Sequence, residues 1–341
     1  MKKVLLKDIA DMAGVSQMTV SRVINAPDTV KKDTRERVEK IIQQMHYHPN
    51  SIAKALTTGK TQNIGLLVVH DSHNFPNEFM TSFLKGVYGV VQARGYNLML
   101  LFDTHDGCNR ILNENSLSAQ RLDGLLILSI DSMVETVYPL SCKLQESGMA
   151  AVVVNQQVQD LNTSYVAADD FDGGFQAGAY LIGCGHRKIG VIVGSDQYAT
   201  SWSRFRGFIH ALEKHGMIFD PRAYAEGGYT KEGGYAAMKK MLENAPDMTA
   251  VFCASDLMAL GAMKCCFDRH IDIPEKMSVI GYDDKEFASM LNPALTTVKK
   301  DRERMGRESA EILMDILSGR EETVQRLIAT EIVERESVRN I

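Results

Sequence analysis

From Asn63 to the last tenth of the chain, short apolar runs alternate with stretches whose apolar residues recur at helical spacing, and this alternation constrains the fold more than any other feature. IGLLVV (Ile64–Val69) is followed by Phe83, Val87, Val90 and Val91 at helix period, then by NLMLLF (Asn97–Phe102), GLLILS (Gly124–Ser129) and AAVVVN (Ala150–Asn155). A second series comprises KIGVIVG (Lys188–Gly194), AVFCAS (Ala250–Ser255) and MSVIGY (Met277–Tyr282). Helices are predicted between them at about Ser203–Lys214, Lys231–Leu242 and Leu257–Arg269. Unbroken apolar runs of this length suit strands covered on both faces, hence parallel sheets flanked by helices. Two series predict two α/β lobes. Right-handed βαβ connections bring the carboxyl ends of the strands to one edge of each sheet, so a small ligand is expected in a cleft where the two edges face each other.

The first 60 residues follow another rule. Leu6–Ile24 reads LKDIADMAGVSQMTVSRVI: a short helix with Ile9, Ala10 and Ala13 on one side, a break at Gly14-Val15, and a second helix opened by Ser16. Gly14 permits the positive φ of a sharp turn, Ala10 allows close crossing, and Val15, Val20, Val23 and Ile24 supply a shared core. Ser16 is a natural cap. A third helix is predicted over about Lys32–Met45, with Val38, Ile41, Ile42 and Met45 along one face. This segment is also where the positive charge lies: 11 Lys/Arg against 6 Asp/Glu, in a chain whose net charge is −5. A basic head on an acidic body predicts that only the head meets a polyanion. If the second helix enters a DNA major groove, Gln17, Met18 and Arg22 face the bases, and Ser16, Thr19, Ser21 and Asn25 reach the backbone. Glutamine pairs bidentately with adenine, arginine with guanine, and methionine packs on a thymine methyl.

Other classes are disfavoured. Leu125–Ile130 and Met149–Val154 are far shorter than the roughly 20 residues of a membrane span, and Lys7 and Asp8 interrupt the N-terminus before a signal-peptide core forms; a cytoplasmic protein is expected. The six cysteines, Cys108, Cys142, Cys184, Cys253, Cys265 and Cys266, have no Cys-x-x-Cys spacing and read as reduced thiols in apolar stretches. No Walker loop, Gly-x-Ser-x-Gly elbow or His-Glu-x-x-His occurs, so no enzyme, cofactor or metal is expected. Gly173-Gly174 and Gly233-Gly234 lack phosphate-loop spacing and read as allowing close helix starts.

KDIADMAGVSQMTVSRVIN, TRERV (Thr34–Val38) and YHPNSIAKAL (Tyr47–Leu56) together resemble the lactose repressor/galactose repressor family of bacterial transcription regulators. The resemblance implies an all-α helix-turn-helix DNA-binding domain (1–46), a linker and hinge helix (47–60) and a two-lobed periplasmic-binding-protein-like sensor domain (61–341). The lobes are expected as 61–160 with 292–323, and 161–291 with 324–341. It further implies that Pro49 ends the linker and that Asn50–Leu56 form the hinge helix. There Leu56 wedges open a minor-groove base step, with Asn50 and Ala53 beside it, and an apolar wedge of this kind bends DNA. One departure is Lys31, where the family usually caps the third helix with serine.

For the effector, the resemblance points first to Arg204, Tyr229 and Asp283, then to Asp71, Asn77, Phe79, Gln156, Asp169, Ser255 and Lys300. The chemistry suits a sugar: a carboxylate accepts from vicinal hydroxyls, arginine donates a planar fork, and an aromatic face packs on a CH face. A capping or salt-bridge role remains open for each, for Asp169 above all. The cleft departs from the family at Asn77-Glu78-Phe79-Met80, at Asn155-Gln156 and at Ser255-Asp256, so ligand identity does not carry over. The single tryptophan, Trp202, two residues before Arg204, is expected close to the cleft. The expectation is a homodimeric repressor of a carbohydrate operon, released from a pseudo-palindromic operator by a small sugar. No leucine heptads follow Glu334-Arg335-Glu336, so no tetramerisation helix is expected. The alternatives are a sugar-binding transport protein, or a regulator with a non-sugar corepressor such as a purine.

Overall fold

The computed structural model describes residues 4–45, 47, 60–69, 78–103, 122–129, 134–158, 162–195 and 198–341. It divides into two compact units, Met1–Gln62 and Asn63–Ile341.

In the first unit, helices Leu6–Ala13, Gln17–Asn25 and Lys32–Gln44 enclose Ile9, Ala10, Ala13, Val20, Val23 and Val38, with Val15, Ile24, Ile41, Ile42 and Met45 packed around them. Each boundary has a local cause. The Asp8 carboxylate accepts the Leu5 N–H at 2.8 Å at the start of the first helix. Gly14, at φ +64°, ends that helix by letting the Val15 N–H reach back to the Ala10 carbonyl at 3.1 Å. Ser16 Oγ then accepts the Thr19 N–H at 3.1 Å and so caps the second helix. Lys31, at the start of the third, makes no side-chain cap.

Among the described residues, the second unit holds two six-stranded sheets. The first orders its strands β11-β5-β4-β3-β1-β2, from β1 (Asn63–Val69), β2 (Asn97–Asp103), β3 (Gly124–Ser129), β4 (Ala150–Val154), β5 (Ser164–Ala168) and β11 (Gln325–Ile328). The second orders them β12-β10-β9-β8-β6-β7, from β6 (Ile189–Val193), β7 (Tyr224–Glu226), β8 (Ala250–Cys253), β9 (Ser278–Asp283), β10 (Thr296–Lys300) and β12 (Thr330–Val333). All pairs are parallel except β10 with β12. Both halves therefore repeat one doubly wound pattern, and the apolar runs lie buried between helices as their composition demands.

The expected lobe boundaries are corrected at three places. β5 and β11 belong to the first sheet and β10 to the second, because β5 pairs with β4, β11 with β5, and β10 with β9. The chain thus passes between lobes at Asp169, at Asp301 and at Ala329, one residue separating the flanking elements each time. The Asp169 N–H donates to the Ile328 carbonyl at 2.9 Å, tying the first passage to the third. No helix among the described residues is long and apolar enough to cross a membrane.

Glycines set how closely helices cross. A Cβ on Gly174 would lie 2.0 Å from the Arg204 carbonyl oxygen, and one on Gly207 would lie 1.9 Å from that of Phe171. The helices Asp170–Gly183 and Ala199–Lys214 therefore touch backbone to backbone. Gly234 and Gly261 do the same for Lys231–Asn244 and Asp256–Asp268, as do Gly86 and Gly306 for Glu78–Ala93 and Arg302–Leu317.

Candidate functional site

The inter-lobe passages and the carboxyl ends of β4, β9 and β10 bring together a buried ionic cluster. Asp170 opens a helix immediately after the first passage, while Lys300 and Arg302 flank the second. Arg204 comes from the helix that Gly174 and Gly207 hold against Asp170's own. Its Nε donates to Asp170 Oδ1 at 2.8 Å and its Nη1 to the Ala254 carbonyl at 2.5 Å. The guanidinium carbon stands 3.8 Å from the Tyr282 ring centroid, a cation–π contact strengthened by desolvation.

Asp283 is the focus of the cluster. Its Oδ1 lies 3.8 Å from Arg204 Nη2, 3.9 Å from Arg302 Nη2 and 4.0 Å from Lys300 Nζ. Burial opposes its charge, but Arg204, Lys300 and Arg302 prevail and hold its carboxyl below the usual carboxylate range. The backbone is strained there: φ is +113° at Asp283 and +50° at Asp284. Arg302 Nη2 donates to the Asp283 carbonyl at 2.5 Å, and Arg335 Nη2 to Asp284 Oδ1 at 2.6 Å, fixing this turn from two directions. Lys300 Nζ also donates to Asn155 Oδ1 at 3.4 Å, across the two lobes. Burial pushes the Lys300 ammonium down to about 8, with Asp170 opposing the shift. Asn155, itself at φ +65°, donates Nδ2 to the Ser129 carbonyl at 3.0 Å.

Several polar groups at these strand ends are buried without a hydrogen-bond partner among the described residues: Ser129 Oγ, Gln156 Oε1, Tyr229 OH and Tyr282 OH. Tyr229 is held at φ +59° with its ring against Gly194, where a Cβ would come within 2.1 Å. Burial raises its phenol, with the Arg204 charge working the other way. Such groups, beside fixed charges, can bind a compact polyhydroxylated molecule.

Five of the sequence-predicted effector residues, Arg204, Tyr229, Asp283, Lys300 and Gln156, thus lie at this strand-end region. Two have other work. Ser255 Oγ accepts the Met258 N–H at 3.3 Å and caps a helix; Asp169 Oδ1 accepts the Asp172 N–H at 2.9 Å and caps another. Asp71 and Asn77 lie outside the described residues, and of Phe79 only the backbone is described. Trp202 is 47% exposed and packs edge-on against Phe205; two residues along a helix turn its side chain to nearly the opposite face from Arg204. Sequence reasoning missed Asp170 and Arg302. Their signal is position: each adjoins a capping aspartate, and a helix can use only one of two neighbouring side chains as its cap.

In the first unit, Gln17, Met18 and Arg22 are exposed on the second helix, opposite buried Val20 and Val23. Ser16 and Thr19 hydroxyls lie 2.9 Å apart. The side chain of Asn25, and all of Asn50, Ala53 and Leu56, fall outside the description.

Comparison with known proteins follows this division. Residues 5–50 match the bacterial regulatory proteins of the lacI family, and residues 179–338 match the periplasmic binding protein-like domain. The HTH-type transcriptional repressor PurR of Haemophilus influenzae (strain PittEE) is 34% identical over 98% of this chain and 99% of its own. A complex of the transcriptional regulator CelR with cellobiose superposes with a TM-score of 0.74 at 34% identity, covering 98% of this chain and 99% of that one. The lac repressor dimer bound to operator and the anti-inducer ONPF reaches a TM-score of 0.86 at 26% identity, over 99% and 100%. Helix-turn-helix head, doubly wound lobes and full-length similarity agree: the chain belongs to the LacI family of DNA-binding transcription regulators.

Proposed function

We propose that this protein is a cytoplasmic homodimeric repressor of a carbohydrate-utilisation operon, released from a pseudo-palindromic operator when a small sugar enters the cleft between its lobes. The observation that carries this reading is the buried cluster of Arg204, Asp283, Lys300 and Asn155 at the inter-lobe passages, with hydroxyl and amide groups beside it awaiting partners. A ligand bound there changes the relation of the lobes, which is the form a coupling free energy takes in such a protein. The lac repressor dimer on operator and the CelR–cellobiose complex supply the precedents for dimer, DNA and sugar.

On DNA, Gln17, Met18 and Arg22 read bases and Ser16, Thr19, Ser21 and Asn25 hold the backbone, while Asn50, Ala53 and Leu56 form the minor-groove hinge. Operator sites selected from a random library, then titrated by fluorescence anisotropy, test this. Replacing Gln17 or Met18 is expected to change base preference at a defined position more than non-specific affinity; a uniform loss across sequences would assign them to phosphate instead. Leu56→Ala is expected to weaken operator binding and bending with ligand binding intact.

The sign of coupling comes from repeating the operator titration with saturating ligand. A sugar that weakens operator binding supports induction, whereas a purine that strengthens it would establish a corepressor in its place.

A further inference from the structure

The turn that carries Asp283 is held from behind by a second carboxyl group. Asp256 opens the helix Asp256–Asp268 immediately after its cap, Ser255, and is fully buried, whereas Asp283 is only partly buried. Asp256 Oδ2 accepts the Lys285 N–H at 2.7 Å, two residues beyond Asp283, and Oδ1 accepts the Thr297 hydroxyl of β10 at 2.6 Å. Gly281 of β9 makes the room, since a Cβ there would lie 2.2 Å from Oδ1. One side chain thus ties a helix start and β10 to a turn whose residues Asp283 and Asp284 both have positive φ, a conformation that persists only under such restraint.

Among the described residues, the groups that face Asp256 are Asp283 and Asp284 on the turn, the Thr297 hydroxyl on β10 and the Cys253 thiol on β8. Arg335 pairs with Asp284, while Arg204, Lys300, Arg302 and Lys285 act on Asp283. Burial pushes the Cys253 thiol far above its ordinary range, so it stays neutral.

Resting on the sugar reading of this cleft, we propose that Asp256 is a positioning residue for the effector: it sets where Asp283 stands without touching the ligand, and effector binding draws a proton onto it. Burial, then the charge of Asp283, raises the Asp256 carboxyl to about 7. Hydroxyls donated to Asp283 leave its charge in place but displace the water that screens it. The repulsion between the two carboxylates then grows, and the bound protein holds the Asp256 proton more tightly than the free protein does. Both hydrogen bonds survive protonation: Oδ2 still accepts the Lys285 N–H, and the bond to Thr297 reverses so that Asp256 donates. Linkage sets the sign: affinity is greatest below 7 and falls as pH rises above it.

The test is calorimetric titration of the full chain with glucose, galactose, cellobiose and gluconate from about pH 6 to 8.5. The probe that binds most tightly is expected to lose about 3- to 10-fold in affinity across that range. Asp256→Asn keeps an acceptor for Lys285 and a donor for Thr297 without the charge. It is expected to bind within about 3-fold of the wild type at the acid end and to lose this part of the slope. Lys300, at about 8, titrates in both proteins, so the difference between the profiles reports Asp256. Asp256→Ala, shown folded by its thermal melt, is expected to bind about 10-fold more weakly at every pH, and the milder Thr297→Val to fall between. Wild-type affinity in Asp256→Ala overturns the positioning role, as does a loss in Asp256→Asn as large as that in Asp256→Ala. Parallel pH profiles for wild type and Asp256→Asn overturn the proton linkage; all three results leave the sugar-responsive repressor standing. Silence of the wild type toward every probe overturns the sugar reading, and this inference with it.

Discussion

Asp256 carries a consequence for stability that its neighbours do not share. Its carboxylate accepts the Thr297 hydroxyl at 2.6 Å and the Lys285 N–H at 2.7 Å. Burial, then Asp283, nevertheless raises it to about 7. The folded protein therefore holds this proton at pH values where the unfolded chain has lost it. The stabilisation is complete below the ordinary value of 3.8 and fades as pH rises through 7. Urea unfolding measured in steps from pH 4 to 8 is expected to show a fall on the order of a few kcal/mol from this group. Asp256→Asn keeps an acceptor for Lys285 and a partner for Thr297, and should flatten that slope; parallel profiles would show that Asp256 ionises freely. Lys300 has the opposite sign. Its ammonium is depressed to about 8, so stability recovers as pH climbs from there towards 10.5, and Lys300→Gln should remove the recovery. At this scale the sequence is informative where a side chain has a distinctive chemistry. Arg204 and Asp283 stand out in it; Asp170 hides beside Asp169, since nothing local tells which of two adjacent carboxylates turns inward.

Elements matter here through how closely they approach. The contact of Asp170–Gly183 with Ala199–Lys214 sets the Arg204–Asp170 pair, and Gly207 is its narrowest point. Gly207→Ala puts a methyl 1.9 Å from the Phe171 carbonyl oxygen, so the helices must part. The expected loss is about 1–3 kcal/mol of stability by chemical denaturation, accompanied by weaker effector binding because Arg204 shifts with its helix. In the DNA-binding unit, Ser16→Ala removes the acceptor for the Thr19 N–H and should cost about 1 kcal/mol. Helix existence was readable from apolar spacing, and so were the turn at Gly14 and the cap at Ser16. Which face Trp202 takes was less readable, because proximity along a helix is not proximity on its surface.

For the whole molecule, effector and operator are linked through one free energy. If ligand weakens operator binding by some factor, operator must weaken ligand binding by the same factor, typically about 5- to 150-fold. Titrating ligand with and without operator DNA checks this equality directly, and unequal factors would mean that a further species, such as a change of oligomeric state, takes part. Lobe membership was the part of the fold least legible in the sequence. β5, β10 and β11 look like any other strand in their own residues, and only their pairing partners assign them. One-residue passages at Asp169, Asp301 and Ala329 have none of the length or composition that marks a linker.

Those passages also dictate the order in which the protein can be made. A nascent chain that has just released Lys300 from the ribosome still lacks the helix Arg302–Leu317 and β11 from its first lobe and β12 from its second. The edge of β5 that β11 will cover is then an open template for another strand. Neither lobe has its full sheet until β11 and β12 have followed, so both wait on the same stretch of chain, residues 301–333.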